Sequence, residues 1–124
     1  MKLTNPGAEF FVPDGATPEE ALARATHLAV AAHQDDLEIM AYHGILECFG
    51  TVPKMPPGFL GVTVTDGAGS PRDGIYARYT DKEMQAVRKL EQKKAASVGD
   101  YSACLLLDYP SAAVKNAADR RLEE

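Results

Sequence analysis

An α/β domain on a mainly parallel sheet is the fold class the sequence predicts. Strand-like and helix-like patterns alternate along the 124 residues, which is the order that βαβ units produce. Two capping boxes mark helix starts. The mix of 45% apolar and 25% charged residues is that of one packed domain. Residues 1–16 read as an N-terminal arm, and residues 17–124 as the N-terminal part of a single α/β domain.

The first helix opens at Thr17-Pro18-Glu19-Glu20. Thr17 caps, Pro18 occupies the first helical position, where its missing N–H is harmless, and Glu20 closes the capping box. The helix is expected to run to Ala25. Leu28-Ala29-Val30-Ala31-Ala32 is a short uninterrupted apolar run, expected as a strand buried on both faces. Asp35 and Asp36 open a second helix with Leu37, Met40, Ala41, Ile45 and Cys48 at helical spacing, and Gly50 ends it. Phe59 to Thr65, rich in β-branched residues, is the next strand. A glycine-rich loop, Gly67 to Gly74, leads to Thr80-Asp81-Lys82-Glu83, the second capping box. Met84, Val87, Glu91, Ala95 and Val98 trace one side of that helix, and Gly99 stops it. Ala103 to Leu107 is a third buried strand, broken by Pro110, with Ser111 capping a last helix over Ala112 to Leu122. A fourth strand is expected if Phe10-Phe11-Val12 pairs. Pro and Gly cluster in the arm, between Pro53 and Gly61, and in the 67–74 loop. Three or four strands make a thin core, so this stretch is expected to be half of a larger domain, the alternative being a partner chain that covers the rest.

Thirteen Lys+Arg against eighteen Asp+Glu give a net charge of −5. That balance argues against nucleic acid as a partner, because neutralising phosphates needs a basic face. No apolar run approaches the roughly 20 residues of a membrane span, and the first residues lack the pattern of a secretory signal. Cys48 and Cys104 suit buried thiols in a reducing compartment, so a cytoplasmic protein is expected, with a homo-oligomer possible.

Ala32-His33-Gln34-Asp35-Asp36 follows a strand and opens a helix, at the carboxyl edge where open α/β sheets bind ligands. His33 and Asp36, three residues apart at the turn, can converge on one point, and an imidazole with a carboxylate suits Zn²⁺. Asp35 lies beside that point, free to act as a base. The competing reading is an aspartate pair capping the helix, favoured there by the macrodipole without any metal.

Ala-His-Gln-Asp-Asp-Leu-Glu at 32–38 resembles the Ala-His-Pro-Asp-Asp-Glu signature of the LmbE-like, PIG-L family of zinc-dependent de-N-acetylases. The strand ending Val62-Thr63-Val64-Thr65-Asp66-Gly67 and the helix carrying Arg88-Lys89-Leu90-Glu91 agree with it in order and spacing. The resemblance implies a Rossmann-like, three-layer α/β/α fold and hydrolysis of an N-acetyl group from an amino-sugar-type substrate. By position, it makes His33 and Asp36 zinc ligands and Asp35 the general base that activates a metal-bound water. Arg88, with Asp66 and Gly67, would meet the substrate, and Glu91 would support Arg88. Gln34 stands in place of the signature's proline and Leu37 in place of its glutamate, with Glu38 one position later. Ser111 falls near where relatives place an aspartate.

A third ligand is missing from this stretch. His43 lies seven residues past Asp36, roughly 10 Å along a helix at ~1.5 Å per residue. His27 lies six residues before His33, about 20 Å away along a strand at ~3.3 Å per residue. Neither can share a coordination sphere with both, so His27 is expected at the surface and His43 packed or partly exposed on its helix. The alternative is a non-catalytic α/β binding domain that holds sugar or phosphate at the Gly67–Gly74 loop. That loop fits neither the dinucleotide nor the Walker spacing and reads as a mobile lip, with Arg72 or Arg78 near an anionic substrate. Lys93-Lys94 reads as a solvated helix face.

Overall fold

The computed structural model describes residues 3–51 and 56–122. Pro53, in the second proline-glycine segment, lies outside them. Four strands, β1 (Glu9–Phe11), β2 (Ala25–Ala31), β3 (Gly58–Thr65) and β4 (Ala103–Tyr109), form one mixed sheet in the order β1-β4-β3-β2. The last three run parallel, with Leu28 beside Leu60 and Leu60 beside Ala103. Part of the arm belongs to the sheet: Phe10 pairs antiparallel with Leu105.

Both capping boxes form. Thr17 accepts from the Glu20 N–H at the start of α1 (Pro18–Ala23), and Thr80 does the same for Glu83 at α4 (Asp81–Val98). The first helix stops at Ala23, and Ala25 already lies in β2. The second predicted helix is two, α2 (Asp36–Met40) and α3 (Tyr42–Cys48), kinked at Ala41 with φ −108°. Gly44 follows the kink; a Cβ there would come 3.3 Å from the Phe59 ring. The last helix, α5 (Ser111–Val114), is a single turn starting after Pro110. Beyond it, the Asn116 side chain accepts from the Ala118 N–H and Asp119 from the Arg121 N–H. Such local bonds compete with helix propagation and account for the stop.

Successive strands β2, β3 and β4 step one way across the sheet, so right-handed crossovers set their helices on one face. The core agrees: Leu37 of α2, Ile45 and Cys48 of α3, and Ala96 of α4 join Ala31, Phe59, Tyr101, Cys104 and Leu106 in one buried cluster. β3 lies between two strands and is almost wholly buried. β2 departs from the expectation of a strand buried on both faces. It is an edge strand, and Leu28 and Val30, on the face turned from that cluster, stay 64% and 58% exposed. Among the described residues, no helix is long and apolar enough to cross a membrane.

Candidate active site at the carboxyl edge of the sheet

The turn from β2 into α2 carries the motif residues. His33 and Asp36 meet: His33 Nδ1 lies 3.4 Å from Asp36 Oδ2, with both side chains partly exposed. The same Asp36 oxygen accepts the His33 backbone N–H at 2.9 Å, so the carboxylate curls back over its own turn. The 3.4 Å separation is close to the edge of a coordination tetrahedron, roughly 3.3–3.5 Å for bonds of ~2.1 Å. The donor chemistry and spacing therefore fit two zinc ligands of a larger set. Among the described residues no group of three or more His, Cys, Asp or Glu could hold a metal ion.

Asp35 gives one carboxylate oxygen to Arg88 of α4. It is a non-glycine residue in the left-handed region (φ 73°), a conformation that costs about 1–2 kcal/mol. Its carboxylate accepts from Arg88 Nη2 at 2.7 Å, and that nitrogen also donates to Gln34 O at 3.1 Å. Arg88 Nη1 donates to Glu91 Oε2 at 2.5 Å. Burial disfavours the Arg88 charge, but Asp35 and then Glu91 outweigh it and hold the guanidinium above its ordinary pKa. Two adjacent hollows result. His33 lines one of about 320 Å³ with Gly67, Gly69, Ser111 and Lys115. Asp35, Arg88 and Glu91 line another of about 270 Å³ with Tyr76. Ser70 and Pro71 belong to both walls.

Gly67 (φ +76°) sits against this frame, and a Cβ there would come 2.7 Å from Arg88 Cβ and 2.8 Å from Gln34 Oε1. Asp66 is buried; it accepts from the Ala68 N–H and from Gln85 Nε2, and lines a different hollow with Asn5 and Arg121. Arg72 stitches the glycine-rich loop to itself and to the start of α4. Its guanidinium donates to the carbonyls of Ser70, Ala68 and Tyr79 and pairs with Asp81. Lys93, expected on a solvated face, donates to Glu9 at 2.8 Å and lies over the Phe11 ring. His27, expected at the surface, is half-buried, its Nδ1 within 3.3 Å of Cys48 Sγ. His43 is exposed beside Tyr42.

Sequence reasoning passed over a buried polar relay beneath the turn. Gln92, fully buried, accepts the Asp35 N–H at 3.2 Å and donates to Glu38 Oε1 at 2.9 Å; the buried Tyr101 hydroxyl donates to the same oxygen at 2.7 Å. The signal was available: Met84, Arg88, Gln92 and Ala96 recur every four residues, which is the inward stripe of α4. Compared with protein-family models, with curated proteins and with solved structures, the chain matches none of them.

Proposed function

We propose that the chain forms part of a zinc-dependent hydrolase that removes an N-acetyl group from an amino-sugar-type substrate. His33 and Asp36 are two of the metal's ligands in this reading, and Asp35 is the general base. The observation that carries it is the convergence of His33 Nδ1 and Asp36 Oδ2 to 3.4 Å at the carboxyl edge of a parallel sheet, beside an arginine-held carboxylate. Zinc, when bound, supplies a Lewis acid that polarises the amide carbonyl. Arg88 occupies Asp35 Oδ2, so Oδ1 is the oxygen that receives the proton. Arg88 orients Asp35 and lines the hollow in which the substrate's polar groups sit. In this reading the fold is Rossmann-like and three-layered. The free cysteines Cys48 and Cys104 sit in a cytoplasmic setting in this reading.

One observation favours the second reading, a non-catalytic α/β binding domain. Asp36 Oδ2 already accepts the His33 N–H, so the turn is satisfied without a metal. Zinc stoichiometry and deacetylase turnover of the full protein separate the two. Loss of both in His33→Ala and Asp36→Ala supports the hydrolase. Variants that keep zinc and turnover defeat it, and zinc binding without turnover favours the binding domain.

A further inference from the structure

We infer that Gln92 is a positioning residue for Asp35, acting through a relay that starts at Tyr101. The inference rests on the reading of Asp35 as the base, but its geometry stands on its own. Tyr101 is fully buried, and burial, followed by the neighbouring Glu38 charge, pushes its hydroxyl pKa far up, so it remains a donor. It donates to Glu38 Oε1, which also accepts from Gln92 Nε2. A carboxylate accepts only, so Gln92 must turn its NH₂ toward Glu38. Its carbonyl then points the other way and takes the Asp35 N–H. Arg88 holds the carboxylate of the same residue from the side. Asp35 is thus fixed at backbone and side chain by two residues one helical turn apart on α4, which specifies its left-handed conformation. Gln92 itself lines neither hollow, so it acts through Asp35 and not on a substrate.

The test uses Gln92→Leu and the exchange pair Gln92→Glu/Glu38→Gln, read first by amide hydrogen exchange at Asp35 and then by turnover on an N-acetylated amino sugar with zinc. In the pair, a glutamine at 38 with its NH₂ in the place of Glu38 Oε1 donates one hydrogen to a glutamate at 92, whose other oxygen can still accept the Asp35 N–H, and its second hydrogen to the Tyr101 oxygen, which then accepts where it had donated. Gln92→Leu is expected to lose at least about tenfold in protection at Asp35, and to lose roughly 10- to 100-fold in kcat with KM little changed. The pair is expected to recover most of both. Unchanged Asp35 protection in Gln92→Leu overturns the inference, as does a folded exchange pair that recovers neither quantity. If Gln92→Leu fails to fold, the exchange pair decides alone: Asp35 protection like that of the parent supports the relay, and its loss overturns it. If the parent protein shows no turnover, the hydrolase reading fails while the exchange measurement still decides the relay.

Discussion

Arg88 Nη2 lies 2.7 Å from Asp35 Oδ2 and 3.1 Å from Gln34 O, so a single nitrogen of α4 grips consecutive residues of the β2–α2 turn. Its other terminal nitrogen is taken by Glu91. The acceptors are met from two separate terminal nitrogens of the planar guanidinium fork, a span that the single nitrogen of an ammonium lacks. Arg88→Lys is expected to destabilise the fold by about 1–3 kcal/mol, the scale of lost hydrogen bonds to a charged group. Urea unfolding measures it, and a loss below a few tenths would show that the lysine re-forms the contacts.

Asp35→Asn keeps the shape of the side chain and removes its basicity. Zinc content is expected to stay near that of the parent protein, while turnover drops by ~100-fold or more, the scale of general-base loss. Retained turnover would assign deprotonation to another group.

Gly61 faces the core: a Cβ there would lie 2.8 Å from Leu37 Cδ1 and 3.0 Å from Tyr101 Cε2. Gly61→Ala should cost about 1–3 kcal/mol through overpacking. Gly69 has no neighbour within 4 Å and no positive φ, so Gly69→Ala should shift stability by well under about 1 kcal/mol. Denaturation midpoints of the two variants give the comparison, and equal losses would refute this account of the core.

β2 is an edge strand with no proline, lysine or other charged residue between Ala25 and Ala31, the protections natural edges usually carry. Leu28→Lys should leave stability within ~0.5 kcal/mol, since the side chain is 64% exposed, and should reduce concentration-dependent association. Sedimentation across a concentration series distinguishes the outcomes. A parent protein and variant that are equally monomeric would mean that the edge does not mediate association.

Glu9 is held below the ordinary glutamate range, chiefly by its hydrogen bond to Lys93, against the opposing effect of burial. The folded state then prefers the charged form. Its stabilising contribution is present above the unfolded pKa and disappears as pH falls through the lower folded value. Lys93→Met should therefore be less stable than the parent protein at neutral pH, and the gap should close in acid below the ordinary carboxylate range. Stability curves from neutral pH into acid test the sign, and a gap that widens in acid would reverse it.

Much of the framework was legible because its signals are local. Thr17 with Glu20 and Thr80 with Glu83 form the boxes their spacing announces. The β-branched run ending at Thr65 is the buried central strand. Leu28 and Val30 were misjudged because an apolar run does not state whether its strand has one neighbour or two; strand order decides that, and it is a long-range property. The meeting of His33 with Asp36 was readable from a three-residue spacing. The turning of Asp35 toward Arg88 was not, because it depends on a left-handed residue held by partners more than fifty positions away.

The pairing of β1 with β4 has a consequence for synthesis. In the sheet of the described residues β1 pairs with β4, Asn5 Nδ2 donates to the carbonyls of Leu107 and Asp108, and Lys89 donates to Gly7 O. On the ribosome, residues 5–11 must therefore wait for the stretch near residue 109 before they find their seat. That segment docks only after β4 has been made, and until then the β3 edge that β4 pairs with stays uncovered.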